Sequence, residues 1–201
     1  MGASGQGAKG GTRRRRFRMS TSTFTTGLLV LLLLYPATVG LVQISNGLSG
    51  PDSGQGFPDS CEGMDYKCAR IAPEPHRSTG DTELRFNNTS VDQVLSTIDI
   101  WIAEQSKTIE VQRIIDESSV YAHFVVHTRW LSHADDLHIH IECNGDDAVA
   151  WLHSSSRFGV SDLGVNPDRI DEIKSSLISV CLLYTSPSPR DLSTSRMPSS
   201  A

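Results

Sequence analysis

From Ser90 to Ile102, Val91, Val94, Leu95, Ile98, Trp101 and Ile102 recur with the three-and-four spacing of a single helix face. Ser90 and Gln93 stand where a capping box would satisfy the orphan amides of that helix. The period then changes to two. Ile109 to Ile115 alternates Ile/Val with Glu, Gln and Arg, which predicts a half-buried strand. Ser118 to Trp130 puts Val120, Ala122, Phe124, Val126 and Trp130 on one face, and Tyr121, His123, His127 and Arg129 on the other. Asp136 to Cys143 places Leu137, Ile139, Ile141 and Cys143 inward, with Asp136, His138, His140 and Glu142 outward. Asn144-Gly145-Asp146 is a turn, followed by a strand over Ala148 to His153. Glu83 to Phe86 reads as a short strand ahead of the first helix. Near the end, Asn166-Pro167-Asp168 offers an N-cap, a proline at the first helical position and an acid in the first turn. Ile170, Ile173 and Leu177 form that helix's apolar stripe. The order is β-α-β-β-β-β-α, with consecutive hairpins. This predicts an α+β fold: an antiparallel sheet of about four to five strands with two helices on one face.

The first 44 residues follow a different logic. Arg13 to Arg16 and Arg18 precede an apolar stretch from Phe24, whose centre is the run from Gly27 to Tyr35. The basic cluster and apolar centre suit a signal peptide cleaved after Gly40. The span from residue 24 to 44 also suits an uncleaved membrane anchor, with the positive charges left inside and the domain outside. A plastid-type presequence fits the same features. Each reading puts the domain on the extracytoplasmic or plastid side. Residues 45–60, rich in Gly, Ser, Pro and Asp, read as a flexible linker, and residues 61–180 as one domain. Asn87 to Ser90 holds two overlapping glycosylation sequons.

Charge narrows the function classes. The whole chain has a formal net charge of −5, but all six basic residues of the leader lie before the domain. Between Leu41 and Val180 there are 22 acidic and 10 basic residues. An acidic domain lacks the basic footprint of nucleic-acid binding. Cys61 and Cys68 lie in a lead-in segment where a small disulfide loop would form in an oxidising compartment. Cys143 reads as a buried thiol, and no C-x2-C pair accompanies the cysteines.

Two stretches carry resemblances. Ser154-Ser155-Ser156-Arg157-Phe158-Gly159-Val160-Ser161-Asp162-Leu163-Gly164-Val165-Asn166, with Arg169 in the following helix, resembles the closing signature of the domain-of-unknown-function family numbered 1499. Ala134-Asp135-Asp136 resembles that family's Asp-Asp element, and the segment from Phe57 to Cys61 loosely resembles its start. The chain departs from the pattern where His153 replaces the usual Arg and where the lead-in lacks Pro-Asn-Cys. The resemblance implies a domain over about Phe57 to Ile178 and assigns no activity. The last 21 residues, Cys181 to Ala201, resemble a translated sequencing adaptor followed by its index and flow-cell sequence. On that reading residues 181–201 are an artefact without structure, and the natural C-terminus is lost near Ser179.

Candidate chemistry falls in two places. Ser154, Ser156, Arg157, Gly159, Ser161, Asp162, Gly164, Asn166 and Arg169, with Asp135 and Asp136, form a loop that leads into a helix start able to favour an anion. The structural reading of the same loop pairs Arg157 with Asp162 and uses Gly159 and Gly164 for positive-φ turns. His123, His127, His138 and His140 share the outer sheet face, where Asp136 and Glu142 would complete a carboxylate–imidazole metal site. The plain alternative is a solvated polar face. The domain carries no P-loop, G-x-S-x-G elbow or dinucleotide-binding fingerprint. The three tryptophans read as packing. Taken together, these features predict a non-enzymatic binding or assembly module, without a cofactor, contacting the membrane through residues 24–44 if the leader is retained. The alternative is a small metal-binding protein or enzyme built on the His/Asp cluster. A lipid- or pigment-binding domain would require an apolar pocket between sheet and helices.

Overall fold

The computed structural model describes residues 21–48, 56–61, 63–78, 80–105 and 107–185, with side chains described between Thr25 and Val180. The chain divides into two compact units, Met1–Thr38 and Val39–Ala201. A single helix, α1 (Thr21–Leu48), runs through Pro36. Its stretch from Thr25 to Leu48 is long and apolar enough to cross a membrane, and its leucines are exposed. A signal sequence has the same length and composition.

The second unit contains β1 (Cys68–Ile71), β2 (Leu84–Phe86), α2 (Val91–Glu104), β3 (Thr108–Ile115), β4 (Ser119–His127), β5 (Ala134–Asn144), β6 (Asp147–Ser156) and α3 (Val165–Thr185). Strands β3 to β6 form an antiparallel meander. The free edge of β6 pairs first with β1 and then, farther along, with β2. The fold is α+β with a six-stranded antiparallel sheet. The expected order missed β1. All four of its residues are buried, so Cys-Ala-Arg-Ile shows no alternation by which a strand could be read.

Helix α2 begins where the capping box predicts: Gln93 N–H donates to Ser90 Oγ at 3.3 Å, and Ser90 N–H to Gln93 Oε1 at 3.0 Å. Val94, Ile98 and Trp101 from α2, with Ile170, Ile173 and Leu177 from α3, bury themselves on one sheet face. That face supplies Ala122, Phe124 and Val126 from β4, Leu137, Ile139 and Ile141 from β5, and Ala148, Ala150 and Leu152 from β6. Each fully buried Ile or Leu contributes about 1.5–3 kcal/mol of transfer free energy, so this face drives folding.

Three local expectations are corrected. The strand expected to reach Trp130 ends at His127, because the chain turns at Arg129–Leu131 and Ser132 adopts a φ of 56°. Trp130 is 73 % exposed instead of packed. Cys143 is an exposed thiol bonded to the Gly145 carbonyl at 3.1 Å, at the last residues of β5 before the turn into β6. Asn166 is not the N-cap of α3. Asp162 does that work, accepting from Gly164 N–H at 3.0 Å and Asn166 N–H at 3.3 Å. Pro167 is therefore in the first turn, where its missing N–H costs no helical bond. The backbone of α3 continues to Thr185; the rest of the tail lies outside the described residues.

Candidate functional site: a cleft at the end of the sheet

At the end of the sheet where β4 turns into β5 and β6 leaves for α3, successive residues alternate across the sheet. Asp135 faces the helices and Asp136 faces away. On the helix side, Arg169 of α3 reaches Asp135 Oδ2 at 2.8 Å and lends its other nitrogen to Ser154 Oγ and Asn166 Oδ1, both at 2.7 Å. Ser154 Oγ donates to Asn166 Oδ1 at 2.6 Å. The Asn166 amide donates to Ser156 Oγ and to the Lys67 carbonyl, each at 3.0 Å. The signature residues thus clamp the start of α3 onto β6 and β1. Gly159 and Gly164 take φ values of 99° and 90°, a region that L side chains rarely adopt, to carry the loop across.

Arg157 does not pair with Asp162. Arg77 does, with two bonds of 2.9 and 3.1 Å. Burial works to raise the Asp162 carboxyl, but Arg77 and the amides of Gly164 and Asn166 hold it below its ordinary range. No local pattern could reveal this partner, which lies 85 residues away in sequence.

Above this network opens a cleft of about 960 Å³. Trp101 and Glu104 of α2 with its C-cap Gln105 form one wall, and Val165, Asp168, Arg169 and Glu172 of α3 another. The β4–β5 turn contributes His127 to Leu131 and His133, and the signature loop contributes Phe158, Gly159, Ser161, Asp162 and Leu163. Asp135 lines it from β5, and its Oδ1 is buried without a hydrogen-bond partner. Asp135 is 1 % exposed, and its carboxylate is held by Arg169 beneath the cleft. Five carboxylates line the cleft (Glu104, Asp135, Asp162, Asp168 and Glu172) against two arginines (Arg129 and Arg169).

The opposite face holds the histidines. His123 of β4, His138 of β5 and His153 of β6 are direct cross-strand neighbours, and Arg70 of β1 continues the row. The rings of His123 and His138 stack 4.1 Å apart, and His138 meets His153 edge-on at 5.6 Å. The Asp136 carboxylate takes Arg157 Nε and Nη2, each at 2.7 Å, and His123 Nε2 at 2.7 Å. Burial acts to raise Asp136, yet the bonds from Arg157 and His123 bring it down to about 2. A carboxylate there accepts only, so His123 donates to it through Nε2, and the buried Nδ1 has no hydrogen-bond partner among the described residues. His138 Nδ1 is bonded to the Tyr121 hydroxyl at 2.9 Å. Burial, reinforced by His123, lowers His138 to about 4. Burial, reinforced by His138 and Arg70, lowers His153 to about 3. Burial also raises the Tyr121 hydroxyl to about 12, with Asp136 adding to the effect.

The lead-in segment covers the His153 end of the row. Cys61 and Cys68 form a disulfide, which holds the segment from Phe57 against β1. The Phe57 ring lies 6.3 Å from both His140 and His153, with the Arg70 guanidinium 5.7 Å from its centre. The structure thus brings His123 and His138 together with Asp136 and sets His127 and His140 apart. His127 Nδ1 bonds the Lys107 carbonyl at 3.0 Å at the edge of the cleft, whereas His140 stacks on Trp151. His123, Asp136 and His138 offer ligand atoms within 4.8 Å of one another. Any ion there would compete with the Arg157 guanidinium for both Asp136 oxygens. His153 lies beside Cys68 Sγ at 3.6 Å, but a sulfur committed to a disulfide is no thiolate ligand. Sequence reading named neither His153, Phe57 nor Arg77 as part of a site, for each acquires its place through pairings distant in the chain.

No curated protein and no solved structure matches the chain. Residues 67–177, more than half of the 201, match the model of the family described as a protein of unknown function, DUF1499. That range opens just before β1 and closes within α3, taking in the Asp135–Arg169 clamp and the histidine row, and the chain belongs to the DUF1499 family.

Proposed function

We propose that the domain is a binding module whose cleft receives a ligand with an apolar body and a cationic or hydrogen-bond-donating head. The observation that carries this reading is a cleft of about 960 Å³ walled by Trp101, Val126, Leu131 and Phe158 and lined by five carboxylates against two arginines. The carboxylates of Glu104, Asp168 and Glu172 give the cleft a field that favours a cationic head over an anionic one. The domain acts outside the membrane that its leader enters, since the arginines precede the apolar helix. The metal or acid–base reading of the histidine face has weaker support, because Arg157 already saturates Asp136.

The test is calorimetric titration of the full chain in lipid nanodiscs with hexylammonium, hexanol and hexanoate, short enough to stay largely in water. Saturable binding of hexylammonium, at least about tenfold tighter than hexanoate, supports the reading. The exposed charge reversals Glu104→Lys and Glu172→Lys together invert that preference, and Ser161→Trp blocks both ligands. Equal binding of hexanoate and hexylammonium, or no saturable binding, overturns it.

A further inference from the structure

Two loops at the mouth of the cleft expose apolar side chains that no core requires. Trp130 and Leu131 of the β4–β5 turn are 73 % and 39 % exposed. Phe158, Val160 and Leu163 of the signature loop are 53 %, 88 % and 92 % exposed. The rings of Phe158 and His133 lie parallel at 6.5 Å, so the loops form one continuous rim. Scattered exposed leucines are ordinary, but five large apolar groups on one rim mark a contact surface.

The partner is indicated by Asn46, a residue of the second unit near the end of the apolar stretch Thr25–Leu48. Its amide donates to the Ser132 carbonyl at 2.6 Å, and its Oδ1 accepts from Ala134 N–H at 3.2 Å. These bonds fix the β4–β5 turn level with the last turn of the apolar helix. Lys107 Nζ, bonded to Ser132 Oγ at 2.9 Å, and Arg129, 5.9 Å from the Trp130 ring centre, bring positive charge to the same level. Tryptophan beside arginine and lysine is the composition favoured at the headgroup boundary.

We infer that the leader is retained as an anchor and that this rim docks into the bilayer the anchor spans, so that the mouth of the cleft opens on the lipid interface. The docking surface needs no occupant in the cleft and goes beyond the proposed ligand.

The experiment uses the full chain in phosphatidylcholine nanodiscs, with Cys143→Ser and Cys181→Ser removing the thiols outside the disulfide. A bimane label is placed at Leu163→Cys, at Val160→Cys, or at Ile115→Cys at the opposite end of the sheet. Doxyl-labelled lipid is expected to quench the two rim labels several-fold more than the Ile115 label. Trp130→Asp, at a side chain 73 % exposed, is expected to reduce rim quenching while the Ile115 signal stays constant. Rim labels quenched no more than the Ile115 label, or a mature chain that has lost its leader and left the membrane fraction, would overturn the inference. Ser161→Trp separates the two ideas: it abolishes hexylammonium binding if the cleft reading holds, and leaves lipid quenching intact if docking holds.

Discussion

Asp135 and Asp136 are chain neighbours whose carboxylates lie on opposite faces of the sheet, each held by its own arginine. Arg169 grips Asp135 at 2.8 Å beneath the helices, and Arg157 grips Asp136 at 2.7 Å beside the histidines. Strand alternation produces this division without any special geometry. The pair joins a network beneath the cleft on one side to a buried imidazole row on the other.

Removing Arg169 should be costly, because Asp135 is left as a buried, uncompensated charge. Arg169→Leu is expected to destabilise the domain by about 3 kcal/mol. Combining it with Asp135→Asn should recover part of the loss, since no charge then remains to be paired. Urea unfolding of the two variants measures the difference. Equal losses in both would refute the account.

Acid should unfold the domain in two stages. His138 and His153 have folded values of about 4 and about 3, below the roughly 6.5 of a free imidazole. The unfolded chain therefore binds more protons as the pH drops below about 6.5, and stability falls with it, at most on the order of 1.4 kcal/mol per pH unit for each imidazole. Asp136, held at about 2, contributes stability above its unfolded value of about 3.9, and this is lost as the pH descends through both. Urea midpoints should stay nearly level from pH 7.5 to about 6.5 and decline from there to pH 4.5, and His138→Gln should lessen the decline.

The disulfide closes a loop with a sequence separation of 7, short enough that its removal should cost about 2 kcal/mol. Its larger effect should be local. Cys61→Ser with Cys68→Ser frees the segment that holds Phe57 over His153 and His140. Amide exchange along β1 and the facing half of β6 should then accelerate while α2 remains protected. Unchanged exchange would show that Phe57 roofs the row without the covalent tie.

Cys143 should react at once with a water-soluble thiol reagent in the folded state, as an exposed side chain at the end of β5. Its modification should leave the circular dichroism spectrum unchanged. A lag that tracks global unfolding would mean that the thiol is buried.

Much of the fold was legible because it is governed by local chemistry. The helical spacing of Val94, Ile98 and Trp101, the capping box at Ser90, and the alternation through β4 and β5 each follow from a period that the neighbouring residues enforce. The positive-φ glycines were legible for the same reason, and the Cys61–Cys68 loop was one of the readings the sequence allowed. The site was less accessible. Alternation showed that His123 and His138 share a face, but only tertiary structure decided that their rings stack and that burial lowers His138 and His153. The partners of Asp135, Asp136 and Asp162 depend on arginines that folding brings in from α3, the signature loop and the segment after β1. Periodicity reports which side a residue faces. Burial, charge pairing and the cleft at the end of the sheet arise from contacts between segments far apart in the chain, which no local pattern encodes.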